Sequence, residues 1–112
     1  MPVNVTLAQI QHLAPNARSS YREAFQNGQA VVDQCGISDS PLRVAHFMAQ
    51  APDAVFSAQW CLAVAAAKWA SVGCNAFADQ DDIRRVTRAI NGGLIGLSDR
   101  TEWLRLTKAV WP

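Results

Sequence analysis

The chain has 112 residues, 50% of them hydrophobic, with 10 Lys and Arg against 9 Asp and Glu and a formal net charge of +1. A chain of this length forms one compact domain and buries roughly two-thirds of its unfolded surface, enough for a core without metal or disulfide staples. Disorder is excluded, and the near-zero charge supplies no field to gather phosphates, so no nucleic-acid partner and no acidic membrane is expected.

In chain order, Thr6 with Gln9 and Ser20 with Glu23 have the capping-box spacing, in which each side chain satisfies the other residue's free backbone N–H. They predict helices over 7–13 and 21–35, the second turning Tyr21, Phe25, Val31, Val32 and Cys35 inward and ending at Gly36. Ser40 before Pro41 starts a short third helix with Leu42, Ala45 and Met48, which Pro52 must break or restart. The stretch Ala54–Val72 is the most hydrophobic, but Ser57, Gln59, Lys68 and Ser71 interrupt it, so it reads as a core helix and not as a membrane span. Phe56, Trp60, Ala63, Val64 and Ala67 recur on its inward face, with Pro52 suited to its first turn and Gly73 to its C-terminal cap.

Asp79 is placed to cap a fifth helix that presents Ile83, Val86 and Ile90 on one face and Arg84, Arg85 and Arg88 largely on the other, ending at Asn91-Gly92-Gly93. Ser98 is placed to cap the last helix, which bears Trp103, Leu106 and Val110, with Asp99 and Glu102 in its first turn and Lys108 in its last, as the helix dipole prefers. No segment alternates with the period of a strand. The expected fold is all-α, six helices in one domain over residues 1–112, without internal repeats.

The three cysteines, Cys35, Cys61 and Cys74, show no CxxC spacing and read as free thiols. Met1–Thr6 lacks the basic and apolar regions of a secretion signal, which implies a cytoplasmic protein. His12 and His46 fall on different helices with no metal-ligand spacing, so neither a metal nor another cofactor is expected. His46 reads as a core-edge imidazole satisfied by one hydrogen bond. Gly92 and Gly93 follow a helix end, where carbonyls point outward, and so do not form a phosphate loop. The basic face Arg84, Arg85, Arg88 follows Asp79, Asp81 and Asp82 directly, a pattern that dipole complementarity explains as a solvated face, with nucleic-acid binding a weak alternative.

The segment Asn75–Leu97, NAFADQDDIRRVTRAINGGLIGL, followed by SDRTEWLRLTKAV, resembles the C-terminal part of glycoside hydrolase family 19, the chitinases and the related phage and bacterial endolysins. Leu7-Ala8-Gln9-Ile10, Ala14-Pro15-Asn16-Ala17 and Pro41–Gln50 (PLRVAHFMAQ) resemble its N-terminal helices, so that 1–50 matches one end of the family domain and 51–112 the other. The resemblance implies the helical, lysozyme-like scaffold of that family. In the family the helix resembling PLRVAHFMAQ runs into a segment carrying the general-acid glutamate, and a second glutamate follows. Here Gln50 is followed by Ala51-Pro52-Asp53, and the matching text resumes near the family's penultimate helices, without the catalytic lobe.

Inverting glycoside hydrolysis needs two carboxyl groups about 6.5–9.5 Å apart, one protonated and one activating water. The only glutamates, Glu23 and Glu102, are both explained as first-turn helix residues. The resemblance implies a sugar-cleft role for Asn91, with Gly92 and Gly93 completing its turn, whereas the residues alone read as a helix C-cap. Three functions follow as expectations. The first is a non-catalytic domain that binds a protein partner, such as a host protein of a phage or mobile element, or a second copy of itself. Its interface would use Trp111, the most accessible of the four tryptophans (Trp60, Trp69, Trp103, Trp111), or Arg84, Arg85 and Arg88. The second is a minimal cell-wall or chitin glycosidase with Asp39 or Asp53 as its acid, and the third a non-cleaving module for a chitin or peptidoglycan fragment.

Overall fold

The computed structural model describes residues 3–6, 9, 28–54, 62–94 and 96–112. Among these the protein is all-α, with six α-helices, one 3-10 turn and no strand. The helices are α1 (Gly28–Gln34), α2 (Pro41–Ala54), α3 (Leu62–Ser71), α4 (Cys74–Asp79), α5 (Ile83–Asn91) and α6 (Leu97–Val110), and the 3-10 turn Ile37–Asp39 joins α1 to α2. No described helix is long and apolar enough to cross a membrane.

α2 is the central element, with α4, α5, α6 and the 3-10 turn all packed on it. Its residues Val44, Ala45, His46, Phe47, Met48, Ala49 and Gln50 are all buried, so the helix is surrounded at every angle. Val44, Phe47 and Met48 join Val32, Ile37, Trp69, Val86 and Trp111 in the main core. On the opposite side Ala45 and Ala49 pack with Leu104, Ile83 and Trp103 in a smaller cluster. The Thr107 hydroxyl on α6 donates to the Ala45 carbonyl at 2.8 Å, fastening that helix directly to α2.

Several start and stop signals act as expected. Thr6 and Gln9 exchange the two bonds of a capping box, at 2.8 and 3.2 Å. The Ser40 hydroxyl accepts from the Arg43 amide at 3.2 Å, with Pro41 as the first residue of α2. Gly36, φ +73°, ends the α1 turn in the left-handed region, where a Cβ would stand 3.2 Å from Asn75 Nδ2. The expectations at Tyr21, Phe25, Ser20 and Glu23, at Phe56, Trp60 and Cys61, and at His12 lie outside the described residues. The side chains of Asp53, Ala63, Val64 and Asn91 lie outside them as well.

Four expectations are corrected. Pro52 does not break α2, which runs through it to Ala54; the proline removes one backbone donor from the helix. Ala67 is exposed, and the inward face of α3 is instead Ala66 and Trp69. In a segment so rich in alanine the apolar periodicity does not set the phase, and the one large residue does. Asp79 caps nothing: it closes the short helix α4, and Asp82 caps α5 by accepting from the Arg85 amide at 3.1 Å. Finally, α6 begins at Leu97 with Gly96 as N-cap, so Ser98 lies inside it, and its buried positions are Leu104 and Thr107 while Leu106 is 37% exposed.

Candidate functional site

The polar side chains of α2 form a row, Arg43, His46 and Gln50, spaced so that each faces the α4–α6 side of the fold. Arg43 grips Asp79 with two parallel bonds, Nε to Oδ1 at 2.8 Å and an Nη to Oδ2 at 2.7 Å, and donates from its other Nη to the Gly36 carbonyl at 2.9 Å. His46, fully buried, places Nε2 2.7 Å from Asp81 Oδ1, and Lys108 on α6 donates to the other oxygen of Asp81 at 2.7 Å. Gln50 donates to the Thr87 hydroxyl at 3.1 Å and accepts from Arg100 Nε at 2.7 Å. Each member of the row thus joins α2 to a different later segment.

Asp81 is the only described residue other than glycine with positive φ, at +54°. Aspartate tolerates this left-handed conformation better than most residues, and here it turns one carboxylate onto both His46 and Lys108. The His46 Nδ1 is buried without a hydrogen-bond partner, so the neutral ring carries its proton on Nε2, where it donates to Asp81. Burial pushes the His46 pKa down, against the opposing pull of Asp81. The expectation of an imidazole satisfied by one hydrogen bond therefore holds.

Four of the described carboxyl groups are shifted toward the charged form. Hydrogen bonds from Arg43 hold Asp79 below the usual carboxylate range, and hydrogen bonds from Arg105 do the same for Glu102. Desolvation works to raise Asp81, but the bonds from Lys108 and His46 outweigh it and its pKa is lowered. Bonds from Ser38 and Gln29 lower Asp33. Asp39, one of the candidate acids, is an exposed side chain 3.4 Å from the Arg43 guanidinium. A cavity of about 240 Å³ does open between α2 and α6, lined by Gln50, Asp99, Arg100, Glu102 and Trp103 among others. It falls short of the roughly 300–1,000 Å³ of small-molecule sites. Among the described residues no group of three His, Cys, Asp or Glu side chains could hold a metal ion.

The other candidates lie on α5 and at the C-terminus. Trp111 is corrected: it is 3% exposed, packed in the main core, and its indole N–H donates to the Asn4 carbonyl at 3.0 Å. It ties the C-terminal end of α6 to Asn4, and the little surface it keeps lines an apolar hollow with Pro41, Leu42 and Pro112. α5 ends at Asn91 as expected, with Gly92 at φ +74° and its N–H donating to the Arg88 carbonyl at 2.8 Å. Arg84, Arg85 and Arg88 are all exposed.

The dipole accounts for this pattern only in part: Asp82 caps the N-terminus of α5 and Arg88 stands in its last turn, as the dipole prefers. With Asp82 as the cap and Ile83 as the first residue, Arg84 and Arg85 stand in the first turn of α5, where the dipole disfavours cations by about 0.3–1 kcal/mol each. Two of the three aspartates are engaged elsewhere, Asp79 by Arg43 and Asp81 by His46 and Lys108, whereas Asp82 stays with α5, bound to the Arg85 amide and side chain. Arg85 stacks over the Phe77 ring at 5.9 Å. Among the described residues, neither Arg84 nor Arg88 has a carboxylate partner. Helical spacing places the arginines on the exposed side of α5; that Asp79 and Asp81 are tied to α2 and α6 depends on contacts more than 20 residues away in sequence.

No family model, no curated protein and no solved structure matches this chain.

Proposed function

We propose that the chain is a non-catalytic binding domain, built on the helical scaffold of the family 19 chitinases and endolysins without their catalytic lobe, and that it acts by contact with a protein partner. The observation that carries this reading is the closure of the polar row on α2. Arg43, His46 and Gln50 are each bonded to later segments of the fold. Side chains so engaged act as struts between helices, and every described carboxyl group with a displaced pKa is displaced toward the charged form. An inverting pair would need one member held protonated.

The reading of Asn91-Gly92-Gly93 as a sugar subsite becomes, within this proposal, a helix terminus. Among the described residues, a Cβ built on Gly92 or Gly93 would meet nothing within 4 Å, which leaves the turn open at this point. The test is an amide chemical-shift titration with a chitin oligosaccharide and, separately, with a soluble peptidoglycan fragment. No movement at residues 88–94 is expected at millimolar ligand. Saturable shifts there, weakened by Asn91→Ala in a variant that keeps its fold, would make this a sugar-binding module.

A further inference from the structure

We propose that Arg84 and Arg88 on α5, with the open turn at Gly92 that follows them, form the docking surface for an acidic segment of a protein partner, one that presents carboxylates a helical turn apart. The inference rests on the binding reading above and names the chemistry of what is bound. Residues 84 and 88 are one four-residue step apart and so share a face of α5, and Gly92 is the left-handed residue that ends the helix just beyond them. Arg84 and Arg88 are exposed, and the acidic residues next to them in sequence are turned to other partners within the fold.

Two features point to a partner and not to a merely solvated face. The first is the position of Arg84, a cation in the first turn of its helix, against the dipole and, among the described residues, without a carboxylate partner. Local rules broken without internal compensation are characteristic of functional positions. The second is the open ground at the end of the row. Gly92 is exposed and nothing lies within 4 Å of a Cβ at Gly92 or Gly93, so a partner backbone can approach closely where the arginines end.

Charge complementarity selects the partner. A guanidinium fork matches a carboxylate with two parallel bonds, and two forks one turn apart match an acidic helix or strap with acids at similar spacing. Nucleic acid fits less well, because its affinity comes from many phosphate contacts, whereas this face offers two unpaired cations on a chain of net charge +1.

The test is an amide-shift titration of the full chain with a synthetic alanine-rich helical peptide carrying glutamates four residues apart. A lysine-for-glutamate version of that peptide and a single-stranded oligonucleotide of equal charge serve as comparisons. Shifts confined to residues 84–93 are expected with the acidic peptide alone, weakening as salt is raised. The double variant Arg84→Glu/Arg88→Gln should lose roughly tenfold or more in affinity, and Arg84→Lys/Arg88→Lys should recover part of it. Arg105→Gln, at an exposed arginine on α6 already paired with Glu102, should bind as the parent does. Unchanged far-UV circular dichroism establishes that each variant is folded. Absent or scattered shifts, equal binding by the double variant, or tighter binding of the oligonucleotide overturns the assignment. Should peptide binding fail while the chain also releases no sugar, only the acidic partner is lost; hydrolysis of a glycan would remove the binding reading beneath it.

Discussion

Replacement of Trp69 by alanine is expected to destabilise the domain by about 3–5 kcal/mol, a large part of the roughly 5–15 kcal/mol that holds a small domain together. Trp69 is fully buried at the centre of the main core, edge-on to Phe47 with ring centroids 5.3 Å apart. Its indole N–H donates to Asn75 Oδ1 at 2.7 Å, and Asn75 in turn donates to the Cys35 carbonyl at 2.9 Å. The substitution therefore opens a cavity and also strands the amide that joins α4 to the end of α1. Trp69→Phe separates the two effects. It keeps a ring against Phe47, so its cost should be nearer the roughly 1–3 kcal/mol of an unsatisfied buried polar atom. Denaturant midpoints of the three proteins measure the difference, and equal midpoints for parent and alanine variant would mean that Trp69 does not anchor this core.

The second large effect is in the response to acid. Burial lowers the pKa of His46 in the folded chain below its ordinary value of 6.5, so at mildly acid pH the unfolded chain binds a proton that the folded chain resists. Stability is therefore full above about pH 6.5 and falls as the pH drops from there through the folded-state pKa. Asp81, Lys108 and Asp82 are the charged groups that bear on the ring, with Asp81 and Asp82 opposing the effect of burial and Lys108 reinforcing it. The carboxylates Asp33, Asp79, Asp81 and Glu102, all lowered, contribute stability that is lost only in a later, more acid window. In His46→Gln the first loss should vanish and the second remain. Parallel stability curves for the two proteins between about pH 7 and pH 5 would show that this imidazole is not the group responsible. Asp81→Ala should be costlier at neutral pH, by about 1–3 kcal/mol, because it leaves the His46 N–H buried without an acceptor.

Where local chemistry sets the structure, the sequence was readable. Gly36 and Gly92 end their helices because the left-handed turn there suits glycine, and Ser40-Pro41 starts α2 by a side-chain cap and a preset φ. The alanine-rich α3 was not readable in phase, since residues that differ little in size give no preferred face until Trp69 meets Phe47. Three aspartates within four residues posed a similar problem at 79, 81 and 82. Each can cap a helix, and the choice among them is made by Arg43, His46 and Lys108 on α2 and α6.

The candidate site shows the same division. Exposure of Arg84, Arg85 and Arg88 follows from helical spacing, as does the turn at Asn91-Gly92-Gly93. Their electrostatic state does not, because it depends on the exact start of α5 and on acids drawn away by tertiary contacts. Trp111 was misplaced for a related reason. A tryptophan beside a terminal proline gives no sign in sequence that Asn4, 107 residues earlier, supplies an acceptor for its indole.

That the chain acts by contact and not by cleavage is tested most directly by product analysis. The folded protein is incubated at length with chitin oligosaccharide and with solubilised peptidoglycan, and released saccharides are identified by mass spectrometry. No product above the enzyme-free blank is predicted at any pH at which the domain is folded. Saccharide released by the parent protein and abolished in Asp99→Asn, Glu102→Gln or Asp53→Asn would contradict the account and establish a minimal glycoside hydrolase.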